Sequence, residues 1–94
     1  MWFSICVLIE KPKNKRHKRA ELVAKVTNSL EKYKRPVDFW EIKEILPRRK
    51  LKRNGMWAVI TPGGRWKDWL GDVEFKKVVS RYKEHTAVEV RCHI

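Results

Sequence analysis

The stretch Met56-Trp57-Ala58-Val59-Ile60-Thr61-Pro62-Gly63-Gly64-Arg65-Trp66 constrains this chain more than any other. Its five leading residues are all apolar and two are β-branched, the pattern of a strand buried on both faces. Pro62 pre-sets φ for the first turn position and Gly63 is free to take a positive φ at the next. Thr61 to Gly64 therefore suits a type II turn. A strand buried on both faces is central, so the remaining apolar runs must pair beside it.

Three runs offer themselves. Phe3 to Ile9 is nearly all apolar, with Phe3, Ile5, Val7 and Ile9 on one face and Trp2, Ser4, Cys6 and Leu8 on the other. Both faces can be covered, which makes a second central strand. At the other end of the sequence Val88, Val90, Cys92 and Ile94 alternate with Glu89, Arg91 and His93, a half-buried strand. Val37 to Leu46 fits two templates. Phe39, Ile42 and Ile45 or Leu46 fall on a helical face, whereas Trp40 and Ile42 against Glu41 and Lys43 fit a strand. Pro36 and Pro47 at its ends, with its aromatic and β-branched content, favour the strand.

Helical spacing appears twice. Leu22 or Val23, Val26, Leu30 and Tyr33 predict a helix from about Lys18 to Lys34, stopped by Pro36. Phe75, Val78, Val79 and Tyr82 predict another over Val73 to Glu84, with Asp72 as N-cap. Asn54-Gly55 reads as a turn into the central strand, and residues 66–71 read as irregular. The order strand, helix, strand, strand, helix, strand is that of a ferredoxin-like domain. Residues 1–94 then form one domain, a four-stranded antiparallel sheet with both helices on one face.

Charge points to a partner class. The 94 residues carry a net charge of +12, and they are not evenly spread. Residues 1–55 hold 16 Lys+Arg and 6 Asp+Glu, a net of +10, and residues 56–94 hold 7 and 5, a net of +2. The excess lies in two stretches free of acids. One is Lys11, Lys13, Lys15, Arg16, His17, Lys18 and Arg19, and the other is Arg48, Arg49, Lys50, Lys52 and Arg53. Strands 1 and 2 of the expected topology run the same way, so both stretches leave the sheet at one end. A solvated surface explains some charge. Like charges massed at one pole cost stability unless an anion relieves them, which favours phosphate binding.

The five Trp residues leave two readings. Trp2 with Trp40 or Trp57 on an open sheet face would stack on single-stranded bases or contact a protein. Alternatively, the rings close a second small core against residues 62–71, where Trp66 and Trp69 lie. The glycine-rich aromatic signature of the standard RNA-recognition motif is missing.

Other chemistries find little footing. Cys6 and Cys92 suit buried thiols of a reducing, cytoplasmic setting. With His17, His85 and His93 they match no standard metal-ligand spacing, so no metal or other cofactor is expected. The acids are dispersed, not clustered as a metal-dependent nuclease needs, and no catalytic residue is assigned. The apolar start is too short for a membrane span and lacks signal-peptide flanks.

Two segments carry a resemblance. Trp57-Ala58-Val59-Ile60-Thr61-Pro62-Gly63-Gly64-Arg65-Trp66 and the closing Val90-Arg91-Cys92-His93-Ile94 resemble a family of small phage and prophage proteins. That family has an Ala-Val-x-Thr-Pro-Asp-Gly-x-Trp stretch and a Val-Asp-Cys-His-Ile end. Asp38-Phe39-Trp40-Glu41-Ile42 is similar to its aromatic segment. Gly63 and Arg91 stand where the family has Asp, the family's Gly-Gly-Arg-Trp is missing at residues 43–46, and the basic first half is not a hallmark of it. The family has no assigned chemistry, so the resemblance implies a mobile-element origin and no active site.

The expectation is a non-enzymatic module that grips the backbone of RNA or single-stranded DNA with its two basic stretches. The alternative is a phage-encoded anti-defence inhibitor of a host nucleoprotein, with Trp2, Trp40 or Trp57 as protein contacts. A basic ribonuclease toxin is third. No membrane partner is expected, and a free edge strand would permit a homodimer.

Overall fold

The computed structural model describes residues 1–13, 16–33 and 37–94, with Lys50 described by its backbone alone. Lys15, the Lys50 side chain, Lys34 and the helix stop at Pro36 lie outside the described residues. The elements are β1 (Trp2–Ile9), α1 (Lys18–Glu31), β2 (Phe39–Leu46), a 3-10 turn (Arg48–Lys50), β3 (Ala58–Ile60), β4 (Trp66–Asp68), α2 (Asp72–Ser80) and β5 (Thr86–His93). They form an α+β protein with one mixed sheet in the order β2-β5-β1-β3-β4.

Three expectations need correction. First, the sheet has five strands and is mixed, not four and antiparallel. β1 pairs with β3 in parallel, Ile5 opposite Ala58 and Val7 opposite Ile60. β5 runs antiparallel to both β1 and β2. In the expected antiparallel sheet β2 and β3 would run in opposite directions. Residues 47–57 instead carry the chain back from the end of β2 to the start of β3, the kind of crossover that strands of like direction require. β2 is thereby placed at the far edge, against β5.

Second, residues 66–71 are not wholly irregular, because Trp66–Asp68 pairs with β3 as a fifth strand. The turn between them differs from the expected type II. Gly64, not Gly63, carries the positive φ, at 81°. Its N–H donates to the Thr61 carbonyl at 2.8 Å, and the Thr61 N–H donates to the Arg65 carbonyl at 2.7 Å. This is the three-residue hairpin loop that ends on a left-handed glycine. The Asn54-Gly55 turn is as expected, with φ of 46° and 78° and a 2.8 Å bond from Met56 N–H to the Arg53 carbonyl.

Third, the helices lie on opposite faces. Ile5, Val7 and Ile9 of β1 pack with Ala58, Ile60, Val88 and Val90 under Leu22 and Val26 of α1. Cys6 and Leu8, which alternate with them, pack with Met56, Val59 and Ala87 under Phe75 and Val79 of α2. A central strand apolar on both faces demands cover on both faces, and one helix goes to each. α2 begins at Asp72 with Gly71 as N-cap, one residue from expectation.

β2 is a long edge with its outer side unpaired. A bulge after Ile42 and the charges of Glu41, Lys43 and Glu44 are devices that guard such an edge against further pairing. Lys43 lies in the bulge, and its Nζ stands 3.4 Å from the Glu89 carboxylate. Glu89 is only 4% exposed, so this pair partners a buried charge. Among the described residues no helix is long and apolar enough to cross a membrane.

Candidate nucleic-acid interface

Strand directions decide which loops meet. β1, β2 and β3 run one way, and β4 and β5 run the other. The exits of β1, β2 and β3 therefore share one end of the sheet with the entry of β5. Residues 10–13, 16 and 17, the 3-10 turn, the 61–65 loop and residues 81–85 all gather there. The two ends of β1 lie roughly 25 Å apart at the usual strand rise.

The two basic stretches leave from this end, but only the first stays there. Lys11, Lys13, Arg16, His17, Lys18 and Arg19 are exposed around the start of α1. The Lys13 backbone N–H donates to Glu21 at 2.9 Å, which ties the stretch to the helix. The second stretch runs back along α2. Arg48 sits at the C-terminal end of α2, where its guanidinium donates to the carbonyls of Val79 at 3.1 Å, His85 at 2.7 Å and Tyr82. Arg53 sits at the other end of the helix, with Nε 2.8 Å from Asp72 Oδ1. Both were expected to grip phosphate. Arg48 instead adds side-chain bonds to carbonyls around the C-terminal end of α2, where Val79 and Tyr82 already accept backbone N–H groups, and Arg53 is engaged with an acid. Arg49 and Lys52 are exposed between them.

α2 is where the sequence predicts a helix, but its cations are not among the expected contacts. Its acids lie in the first turn and are engaged: Asp72 by Arg53, and Glu74 by Lys67 at 2.9 Å. Its cations lie toward the basic end, as the helix dipole favours. A groove of about 360 Å³ between the 3-10 turn and α2 is lined by Arg48, Lys76 and Lys83 over a floor of Leu51 and Val79. A second, of about 290 Å³, between the β3–β4 hairpin and α2 is lined by Arg65, Lys67, Lys77, Arg81 and Tyr82. Among the described residues Arg49, Arg65, Lys76, Lys77, Arg81 and Lys83 have no ion-pair partner. The net of +2 for residues 56–94 hid this, because a sum does not say which acids are already engaged.

The aromatic rings collect at the opposite end of the sheet. Trp57 packs on Phe3 at 6.4 Å between centroids and on Trp69 at 4.0 Å. Met1, Phe3, Tyr33, Trp57, Trp69 and Ile94 line a cleft of about 220 Å³. Trp69 is 71% exposed and holds a φ of 59°, a strained conformation for a bulky residue. On the other face Trp2 lies edge-on to Phe39 and His93. Of the three expected contact residues, Trp2 is exposed on the sheet. Trp57 lines the cleft, and Trp40 packs on the α1-side core. Phe39 and Trp69, neither of them an expected contact residue, are exposed; Trp69 nevertheless packs on Trp57, as the second-core reading has it.

The three histidines share no site. His17 caps α1 at the cationic end. His85 packs its ring against Tyr82. His93 lies at the aromatic end, its Nδ1 2.9 Å from Asp38 Oδ1. Cys6 and Cys92 are free and buried on opposite faces of the sheet. Burial pushes both thiols up from the usual 9.0 to about 12; at Cys6 the Arg48 charge opposes this and that of Glu89 adds to it.

No family model, curated protein or solved structure matches the chain.

Proposed function

We propose that this chain is a non-enzymatic module that binds the phosphate backbone of RNA or single-stranded DNA at the cationic end of its sheet. One observation carries the reading. Four separate connections bring Lys11, Lys13, Lys18, Arg19, Arg49, Arg65, Arg81 and Lys83 to one end, and among the described residues none of these has an ion-pair partner. The two grooves beside α2 extend that surface with Lys76 and Lys77. Such an array of cations attracts a polyanion and releases its counterions on contact, which makes binding salt-dependent and weakly selective for sequence. Arg48 and Arg53 hold the frame in place instead of gripping the ligand.

The test is a titration with single-stranded RNA, single-stranded DNA and duplex DNA at two salt concentrations. Tight binding that falls steeply with salt is expected. Absence of binding to all three at low salt would sink the reading.

A second reading has its own observation. The exposed Trp69 and the apolar cleft lie as far from the cations as the sheet allows, and exposed apolar patches mark partner surfaces. In that reading the chain is a phage-encoded anti-defence inhibitor that holds a host nucleoprotein by this end while its cations occupy the nucleic-acid channel. A stoichiometric protein partner that survives nuclease treatment and is lost on Trp69→Ala would favour it.

A further inference from the structure

The face that carries α2 is covered only in part. Phe39 and Trp2 are each in register with His93, so Phe39, His93 and Trp2 make one row across β2, β5 and β1. The next row on that face is Glu41, Arg91 and Ser4. Phe39 is 54% exposed and Trp2 45%. The Arg91 guanidinium lies 5.0 Å from the centre of the Trp2 ring, Phe39 meets Trp2 at 5.9 Å and 86°, and Asp38 holds the His93 ring. From this geometry we infer that the row is a nucleobase-stacking platform, which receives the unpaired bases of the strand held at the cationic end.

The inference rests on the phosphate-binding reading and assigns the residues that would tell its single strand from a duplex. Phosphates alone do not distinguish a duplex from a single strand. Flat ring faces and a guanidinium plane do, because they pair with bases that are not already stacked in a helix. The platform is nearly neutral. Glu41 stands in register with Arg91, and the Asp38 carboxylate on one side of His93 is offset by the Met1 ammonium, 3.5 Å from His93 Nε2. Its contribution therefore comes from stacking and not from counterion release, so it depends on the presence of bases and hardly on salt. Bases at the platform and phosphates at the cationic end are separated by most of the length of β1, so one strand must be long enough to reach both.

The test uses the full chain and two oligomers of roughly a dozen nucleotides, within the usual site sizes of single-strand binders. One is oligothymidine, and the other is its abasic counterpart with the same phosphates. Wild type is expected to prefer oligothymidine by about tenfold. Phe39→Ala and Trp2→Ala should each cut that preference by about fivefold, leaving the salt dependence as it was. Phe39→Tyr, which keeps a ring, should retain the preference. Equal affinity for the two oligomers, or a preference that survives both alanine variants, would overturn the inference alone and leave the platform to a protein partner. Failure to bind either oligomer would overturn it together with the phosphate reading.

Discussion

The two ends of the sheet are made from different parts of the chain, and this explains their different chemistry. The cationic end is built of connections: the β1 exit, the 3-10 turn, the β3–β4 hairpin and the α2–β5 link. Connections owe little to the core, so their side chains are free to carry charge. The aromatic end is built largely of strand termini, where Trp2, Phe3, Phe39 and His93 keep the in-and-out alternation of the strands, and Trp57, just before β3, packs on the same core as Ala58. There the pleat decides which rings are buried and which face outward. Trp40 packs inward while its neighbour Phe39 is exposed, one residue away. The unpaired cations of the charged end should thus be replaceable without loss of fold, whereas the aromatic end serves packing and surface together.

The largest expected effect breaks the comparison at its charged side. Replacing Arg49, Arg65, Lys77 and Arg81 together by Gln should lower affinity for a single-stranded oligomer by about a hundredfold or more at moderate salt. It should also flatten the salt dependence by about 0.7 in log–log slope for each phosphate contact removed. Thermal unfolding should hardly move, since none of the four has an ion-pair partner among the described residues. Full-strength binding after this substitution would remove the cationic end from consideration.

A sharper division lies between two neighbours. Arg48 donates to three carbonyls at the end of α2, whereas Arg49 is exposed and touches no acid. Arg48→Met should cost about 2 kcal/mol of stability, the order expected when charged hydrogen bonds are lost. Arg49→Met should leave the unfolding midpoint in place and weaken nucleic-acid binding. If Arg48→Met proved as stable as wild type, the division between frame and grip at this turn would be wrong. At the 61–65 loop, Gly64→Ala tests the frame again. A φ of 81° costs a side chain about 1–2 kcal/mol, and the new Cβ would press on the Lys32 side chain. Chemical denaturation should show a loss of that size.

Much of this fold was legible because the signals were local. The apolar runs at residues 3–9 and 56–60 fall in central strands, the alternation of residues 86–94 in β5, and the 3.6-residue stripes in α1 and α2. Pairing was less legible. Nothing in Phe39–Leu46 says which neighbour it will take, and three residues such as Trp66–Asp68 are too few to show a period. The placement of the helices was written in β1 itself, since Cys6 and Leu8 are as apolar as Ile5 and Val7. A strand with two apolar faces cannot have both helices on one. The site divides in the same way. Runs of Lys and Arg are visible in one dimension. The separation of Arg48 from Arg49 in role, and the convergence of Arg65 with Arg81, depend on a topology that composition does not encode.

The smallest expected effect concerns the two thiols, which report on the two faces of the sheet. Cys6 lies under α2, and Cys92 lies on the α1 face in register with Phe3 and Trp40 near the aromatic end. Burial raises both from 9.0 in the unfolded chain to about 12 in the fold. The fold therefore retains two protons that the unfolded chain releases above pH 9. The resulting stability is complete below pH 9 and is lost as pH rises through the window from about 9 to 12. By pH 9 the loss from both thiols together is under about 1 kcal/mol, and it steepens above. Unfolding free energies measured from pH 8 to 10 should trace this decline in wild type and lose it in a Cys6→Ala/Cys92→Ala double variant. At pH 8 neither thiol should react with an alkylating reagent faster than its face opens. If Cys92 reacts sooner than Cys6, the aromatic end opens first, and its exposed rings come with a looser sheet edge. If the two react together, both faces open in a single cooperative step. In that case the difference between the ends is one of surface chemistry and not of local stability.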